Sequence, residues 1–237
     1  MAERDVTVVT GSSRGIGKAI ALRLADENHN IMIFGRDVKA LEDVQRMIMQ
    51  KGVEAEFFSG DAADTKFVNQ SVKKIIEKFG KVDHLINNAG IGIIKKFVDS
   101  SLEDFRKQVD VNLFGVFNFT KAVIDSMIKR RKGSIINIAS LAGKNSFLGG
   151  TMYSATKHAL LGFTRSLMLE IREYNIRVAS ICPGSVDTSF NSGGSMDPRS
   201  RGEILKPEDV ADCAAAIIKL PPRALMSEID LRPTNPK

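Results

Sequence analysis

Tyr153 and Lys157 stand four residues apart in a stretch of helical periodicity, which puts them on one face, a turn apart. An ammonium beside a phenol favours the phenolate, so such a tyrosine can exchange protons far below its ordinary pKa of about 10. That chemistry suits a carbonyl or an alcohol, whose oxygen gains or loses a proton as its carbon gains or loses hydride. Upstream lie Ser140 and Asn112, a hydroxyl and an amide that can hold an oxygen in place. Taken singly, each has a plain alternative: a loop serine, a locally bonded helix asparagine, a packed aromatic. Their meaning comes from occurring together and in this order.

A second group binds rather than reacts. Gly11, Ser13, Arg14, Gly15, Ile16 and Gly17 follow a short apolar strand at 6–10 and open a helix at 16–27. Glycines at such a turn let the backbone approach a pyrophosphate at the helix N-terminus, so the segment is expected to bind a dinucleotide. The spacing is Gly-x-x-x-Gly-x-Gly rather than Gly-x-Gly-x-x-Gly. The following strand would usually end in an acid that binds the adenosine ribose. Here Gly35 and Arg36 occupy that place. An arginine grips a 2′-phosphate where a carboxylate repels it, and Arg14 can approach the same phosphate, so the pair argues for NADP(H) over NAD. In the counter-reading, Asp37 binds the ribose and the arginines are merely solvated; as a helix cap, Asp37 has a simpler use.

The elements that must position these groups alternate along the chain. Strands are expected at 6–10, 30–34, 53–59, 82–87, 134–139, 177–182 and 225–231. Helices are expected at 16–27, 38–50, 64–79 (capped by Asp64), 153–174 and from Pro207 to just before Pro221. Ser100 and Glu103 form a capping-box pattern that opens a long helix to about Arg130. Strands joined by crossover helices make a mostly parallel seven-stranded sheet with helices on both faces: one α/β, Rossmann-like, doubly wound domain over 1–237. The Gly- and Ser-rich stretch 183–206 is the irregular exception and reads as a mobile loop over a substrate.

The glycine pattern, Asn87-Asn88-Ala89-Gly90, Asn112, Ser140, Tyr153-x-x-x-Lys157 and Pro183-Gly184 resemble the short-chain dehydrogenase/reductase family in order, spacing and placement. The resemblance implies that Asp61 bonds the adenine and that Asn88, Ala89 and Gly90 border the adenosine half. It implies that Asn112 kinks or hydrates the long helix and holds a water near Lys157. Ser140 would bond the substrate oxygen and Tyr153 would give or take the proton. Lys157 would bind the nicotinamide ribose and lower the Tyr153 pKa. Pro183 and Gly184, with Val186, would seat the nicotinamide, and Thr188 would bond its carboxamide. Family members of this kind include 3-oxoacyl reductases, 3-hydroxy acid dehydrogenases and general carbonyl reductases. The tail from Ser227 to Lys237 lacks the glycine-rich pattern of the first group and is more similar to the others. A homodimer or homotetramer through the long helix and the Tyr153 helix is also implied.

The substrate pocket is expected to be lined by Ile91, Gly92, Leu141, Ala142, Gly143, Met152 and Val186, which suits a small-molecule ketone, aldehyde or acyl chain, with Lys144 or Lys95 available to a carboxylate. His29, His84 and His158 have no metal-binding spacing, and no nucleophile elbow or phosphate-loop lysine is present. The net charge of +6 and pI of about 9.3 would permit nucleic-acid binding. The basic residues are scattered, however, and Lys129 to Lys132 sit where a helix ends, a place suited to cations. With no apolar run of membrane-spanning length and two cysteines expected as free thiols, the protein reads as cytoplasmic. A catalytically idle NADP(H) sensor on the same fold is the second reading; a full set of reacting side chains argues against it.

Overall fold

The computed structural model describes residues 4–191 and 204–234. Seven strands, β1 (Val6–Thr10), β2 (Asn30–Gly35), β3 (Ala55–Ser59), β4 (His84–Asn87), β5 (Gly133–Ile138), β6 (Ile176–Pro183) and β7 (Glu228–Leu231), form one sheet in the order β3-β2-β1-β4-β5-β6-β7. Every pairing is parallel. The chain winds outward from β1 through β2 to β3, then jumps back to place β4 on the other side of β1. Ligands of such sheets bind at that reversal, beyond the carboxyl ends of the strands.

Both faces of the sheet are apolar, and side-chain alternation divides the core in two. Val9, Ile33, Ile86 and Ile136 face a layer made with α1 (Gly15–Asp26), α2 (Val38–Met49) and α7 (Pro207–Lys219). Their neighbours Val8, Met32, Leu85 and Ile135 face the opposite layer, made with α3 (Thr65–Phe79), α5 (Gly115–Arg130) and α6 (Thr151–Ile171). Phe34 and Phe119 meet edge to face there, with ring centroids 4.7 Å apart. Asp37 and Asp64 cap α2 and α3 by accepting first-turn backbone N–H groups, as expected. Cys182 and Cys213 are both free.

Two expectations need correction. The capping box is Ser101 with Asp104, not Ser100 with Glu103. The Ser100 hydroxyl instead donates to the Phe97 carbonyl and closes a short turn ahead of the helix. The expected long helix is also not continuous. It runs as α4 (Leu102–Val109), a π-helical turn (Asp110–Phe114) and then α5. Asn112 sits in that wide turn, a kind of local irregularity that often accompanies functional sites.

Of the expected loop 183–206, residues 192–203 lie outside the described residues. Its flanks are tied together by the parallel bridge of Val186 with Leu205 and by the Asp187 N–H donating to the Leu205 carbonyl.

Candidate active site

Ser140, Tyr153 and Lys157 come from the β5–β6 crossover and Asn112 from the β4–β5 crossover, and they meet at the carboxyl edge of β4 and β5. Ser140 follows β5 and starts a short 3-10 turn, Leu141–Gly143. That turn lies directly on α6: a β-carbon built on Gly143 would stand 2.8 Å from the Lys157 carbonyl oxygen, closer than a side chain could approach. The Ser140 Oγ accepts the Ala142 N–H at 3.1 Å. Its own proton is left to donate, and the hydroxyl hydrogen-bonds the Tyr153 phenol in the sense that favours the phenolate.

Asn112 is 1% exposed and fully bonded. Its Oδ1 accepts the Ile91 N–H at 2.8 Å, and its Nδ2 donates to the Ile91 carbonyl at 2.9 Å and to Thr156 Oγ1 at 3.0 Å. One amide thus ties the loop after β4 to the π-helical turn and to α6. The helix is interrupted at this residue by the π-helical turn. Both amide protons are committed to protein oxygens rather than directed at Lys157.

Lys157 is buried and donates from Nζ to the Ile138 carbonyl at 2.9 Å. The same Nζ lies 5.8 Å from the centre of the Tyr153 ring. Burial pushes the Lys157 pKa down to about 8 and pushes that of Tyr153 up to about 12, with the Ser140 hydrogen bond pulling the phenol the other way. The expectation that Lys157 lowers the Tyr153 pKa therefore does not hold in this arrangement. Desolvation is the leading cause at the phenol, and the hydrogen bond of the ammonium goes to the Ile138 carbonyl.

The glycine turn fits a dinucleotide. A β-carbon on Gly17 would lie 2.3 Å from the Gly11 carbonyl oxygen, so the first turn of α1 packs against the loop only because no side chain is there. Helix α1 has no side-chain cap and no acid in its first turn, which leaves its N-terminal N–H groups open to an anion. The Asn88 amide donates to the Thr10 and Gly11 carbonyls and holds the loop, while Thr10 Oγ1 accepts the N–H groups of Asn88 and Ala89. Ser13, Arg14 and Ile16 lie in this turn, and Thr188 faces it across Gly15, whose β-carbon would stand 3.2 Å from the threonine methyl. A cavity of about 300 Å³ lies between Gly15, Lys18, Asp187 and Thr188. Pro183 and Gly184 pair with Leu231, which fixes the end of β6, and Val186 follows in the bridge to Leu205. Gly90 approaches the Asn112 side chain and Lys157 Nζ. Asp61 accepts the Ala63 N–H at 2.9 Å beside β3. Arg14 and Arg36 are exposed, and neither makes an ion pair among the described residues.

Sequence reasoning missed two aromatic rings. Phe147 and Phe190 flank Tyr153 with ring centroids 6.5 Å and 5.9 Å away. Both lie in irregular segments, where periodicity carries no signal. The two lysines expected to be available to a carboxylate are taken: Lys144 pairs with Glu228 at 2.6 Å and with Asp230, and Lys95 pairs with Asp104 at 2.5 Å.

A parallel sheet with a glycine turn at its reversal and a serine, tyrosine and lysine beside it defines a class of nucleotide-dependent oxidoreductase folds. The family model for short chain dehydrogenases matches residues 5–197, and the chain belongs to that family. An uncharacterized oxidoreductase of Staphylococcus saprophyticus is 34% identical over 229 residues, covering 96% of this chain and 97% of that protein. Among solved structures, an alcohol dehydrogenase from the archaeon Thermococcus sibiricus, complexed with 5-hydroxy-NADP, matches with a TM-score of 0.91 and 33% identity over 99% of this chain and 100% of that one. An NAD+-bound xylitol dehydrogenase matches with a TM-score of 0.90 and 27% identity over 98% and 100%. The protein is an oxidoreductase of this family. Among the described residues, no helix is long and apolar enough to cross a membrane.

Replacing Asn112 with alanine removes three hydrogen bonds and strands buried backbone groups. The loss of stability should be about 2–4 kcal/mol, read by urea unfolding. A loss below about 0.5 kcal/mol would show that the amide does not hold the three segments together.

Proposed function

We propose that this chain transfers hydride between NADP(H) and a small carbonyl or alcohol substrate, with Tyr153 as the general acid and base. The observation that carries the reading is the hydrogen-bonded Ser140–Tyr153 pair with buried Lys157 behind it, at the sheet edge where the glycine turn lies. The nicotinamide dinucleotide, when bound, supplies or takes up the hydride.

The chain's own residues handle charge and protons. As hydride reaches a carbonyl carbon, negative charge gathers on the oxygen. The Ser140 hydroxyl can turn its proton from the Tyr153 oxygen to that oxygen, and the Tyr153 hydroxyl can donate a second hydrogen bond. Tyr153 then gives up its proton, and the buried Lys157 ammonium stabilises the phenolate left behind. A phenol pushed up to about 12 is protonated at neutral pH, the form needed for reduction. In the reverse direction the ionised form is needed. Phe147 and Phe190 beside Tyr153 favour an apolar group next to the reacting carbon, and the pairing of Lys144 and Lys95 argues against a carboxylate held there. Among 3-oxoacyl, 3-hydroxy acid and general carbonyl substrates, these contacts favour the general carbonyl class.

Tyr153→Phe should lower kcat by about 10²–10⁴-fold for ketone reduction with NADPH while leaving NADPH affinity within about twofold. In the wild type, alcohol oxidation should rise roughly tenfold per pH unit below the effective phenol pKa, whereas reduction stays flat from about pH 6 to 8. Wild-type rates from the Phe variant, or reduction and oxidation with the same pH profile, would remove Tyr153 from this role.

The preference for NADP(H) is supported by the exposed guanidinium groups of Arg14 and Arg36, which make no ion pair among the described residues, and by Asp37, which is occupied in capping α2. The 5-hydroxy-NADP complex of the archaeal relative agrees with it. Arg36→Asp should weaken NADPH binding by roughly tenfold or more and leave NADH binding unchanged or tighter, as read by fluorescence titration. Equal NADPH affinity in both proteins would refute the assignment.

Self-association belongs to the same reading. Phe114 and Phe117 on the π-turn and α5 and Leu169 on α6 are each more than half exposed, a costly arrangement in an isolated chain. Light scattering of the wild type should give a dimer or tetramer, and Phe117→Glu should shift it toward monomer. A wild type that is monomeric at micromolar concentration overturns this part.

A further inference from the structure

A parallel sheet gathers the amino ends of its strands on one edge, opposite the reacting groups. On that edge Asp5 immediately precedes β1, His29 immediately precedes β2, and His84 is the first residue of β4. These three strands are adjacent, in the order β2-β1-β4, so neighbouring backbones lie about 4.8 Å apart. One ligand-type atom from each side chain lies within 4.8 Å of the others. The linear separations of 24 and 55 positions carry no metal-binding spacing, and for that reason the group is invisible in the sequence.

We propose that Asp5, His29 and His84 form a binding site for a divalent transition cation of the zinc type, one that ties the amino edge of the sheet together. His84 Nε2 stands 3.3 Å from Asp5 Oδ2. That is longer than a good charge-assisted hydrogen bond, but it matches the roughly 3.3 Å between two ligand atoms of a tetrahedral ion with bonds near 2.0 Å. His29 completes the group, its ligand-type atom within 4.8 Å of the other two. Its Nδ1 is 2.9 Å from Thr7 Oγ1, so the hydroxyl can accept the Nδ1 proton and leave the Nε2 lone pair unprotonated.

His84 is 97% buried (3% exposed), so a cation held at its Nε2 would be shielded from bulk water. Lys132 meets the other oxygen of Asp5, Oδ1, at 3.4 Å and leaves Oδ2 facing His84. A recess of about 250 Å³, bordered by Asp5, Glu27, His29 and Lys219, opens beside the group. It offers an entry path and room for a fourth ligand such as water. Three protein ligands of two imidazoles and one carboxylate is a familiar set for Zn2+.

The test uses the full chain stripped with chelator and dialysed against Zn2+, with metal content, Tm and NADPH affinity measured in parallel. The wild type should retain about one Zn2+ per chain at ~10 μM free metal and gain several degrees in Tm. His29→Ala and Asp5→Asn, both on the partly open side of the group, should each bind Zn2+ at least tenfold more weakly and lose the Tm gain. Their NADPH affinity should be unchanged, because the site lies at the opposite edge from the glycine turn. Co2+ should give the visible bands of a tetrahedral site in the wild type and not in His29→Ala. No retained Zn2+ in the folded wild type, or the same stoichiometry and Tm gain in both variants, overturns the proposal. Its outcome is independent of the catalytic reading, since neither measurement involves turnover.

Discussion

One buried amide holds the candidate site in register. Asn112 satisfies both backbone groups of Ile91 and reaches Thr156, so the loop leaving β4, the break between α4 and α5 and the helix carrying Tyr153 share one set of hydrogen bonds. Hydrogen bonds in such a dry place are strong, and an unmade one is expensive. The π-helical turn accompanies this arrangement: a regular helix through Asn112 would present the residue at a different angle, and the amide would lose partners it cannot replace. The geometry of Tyr153 relative to the sheet edge therefore depends on a side chain that need not touch substrate.

Burial then sets the electrostatics. A phenol and an ammonium packed together could form an ion pair, yet both pKa values move toward the neutral forms, up to about 12 for Tyr153 and down to about 8 for Lys157. Desolvation is the leading cause of both shifts. The Ser140 hydrogen bond is the single opposing influence on the phenol, and it is also the group best placed to meet a developing oxyanion. The protein thus holds its acid protonated at rest. The phenolate would form only when a transferred proton and the surrounding positive charge favour it.

The parallel sheet divides the labour between its two edges. All carboxyl ends point to the glycine turn, Ser140 and the end of β6, where loops leave the sheet and side chains can converge. All amino ends point away, and there the chain gathers Asp5, His29 and His84 beside Asp83, Arg130 and Lys132, with Arg130 paired to Asp83 and Lys132 to Asp5. The core between the edges is apolar on both faces, so a rigid set of strands carries either edge with little play.

The alternation of strands and helices, the parallel sheet, the glycine turn, the Asp37 and Asp64 caps and the Tyr153–Lys157 spacing were all legible in the sequence. Each depends on residues close together along the chain, with periods of two or 3.6 or a fixed turn geometry. Strand ends moved by one to three residues, as for β3, which starts at Ala55, because edge residues pair or fray according to their neighbours. What the sequence could not determine were the relations between distant segments. The direction of both pKa shifts, the commitment of Lys144 and Lys95 to acids, the two phenylalanines against Tyr153 and the grouping of Asp5 with two histidines all depend on which surfaces pack together. Desolvation, side-chain pairing and ligand clustering are properties of three-dimensional neighbours, and a linear pattern records only neighbours along the chain.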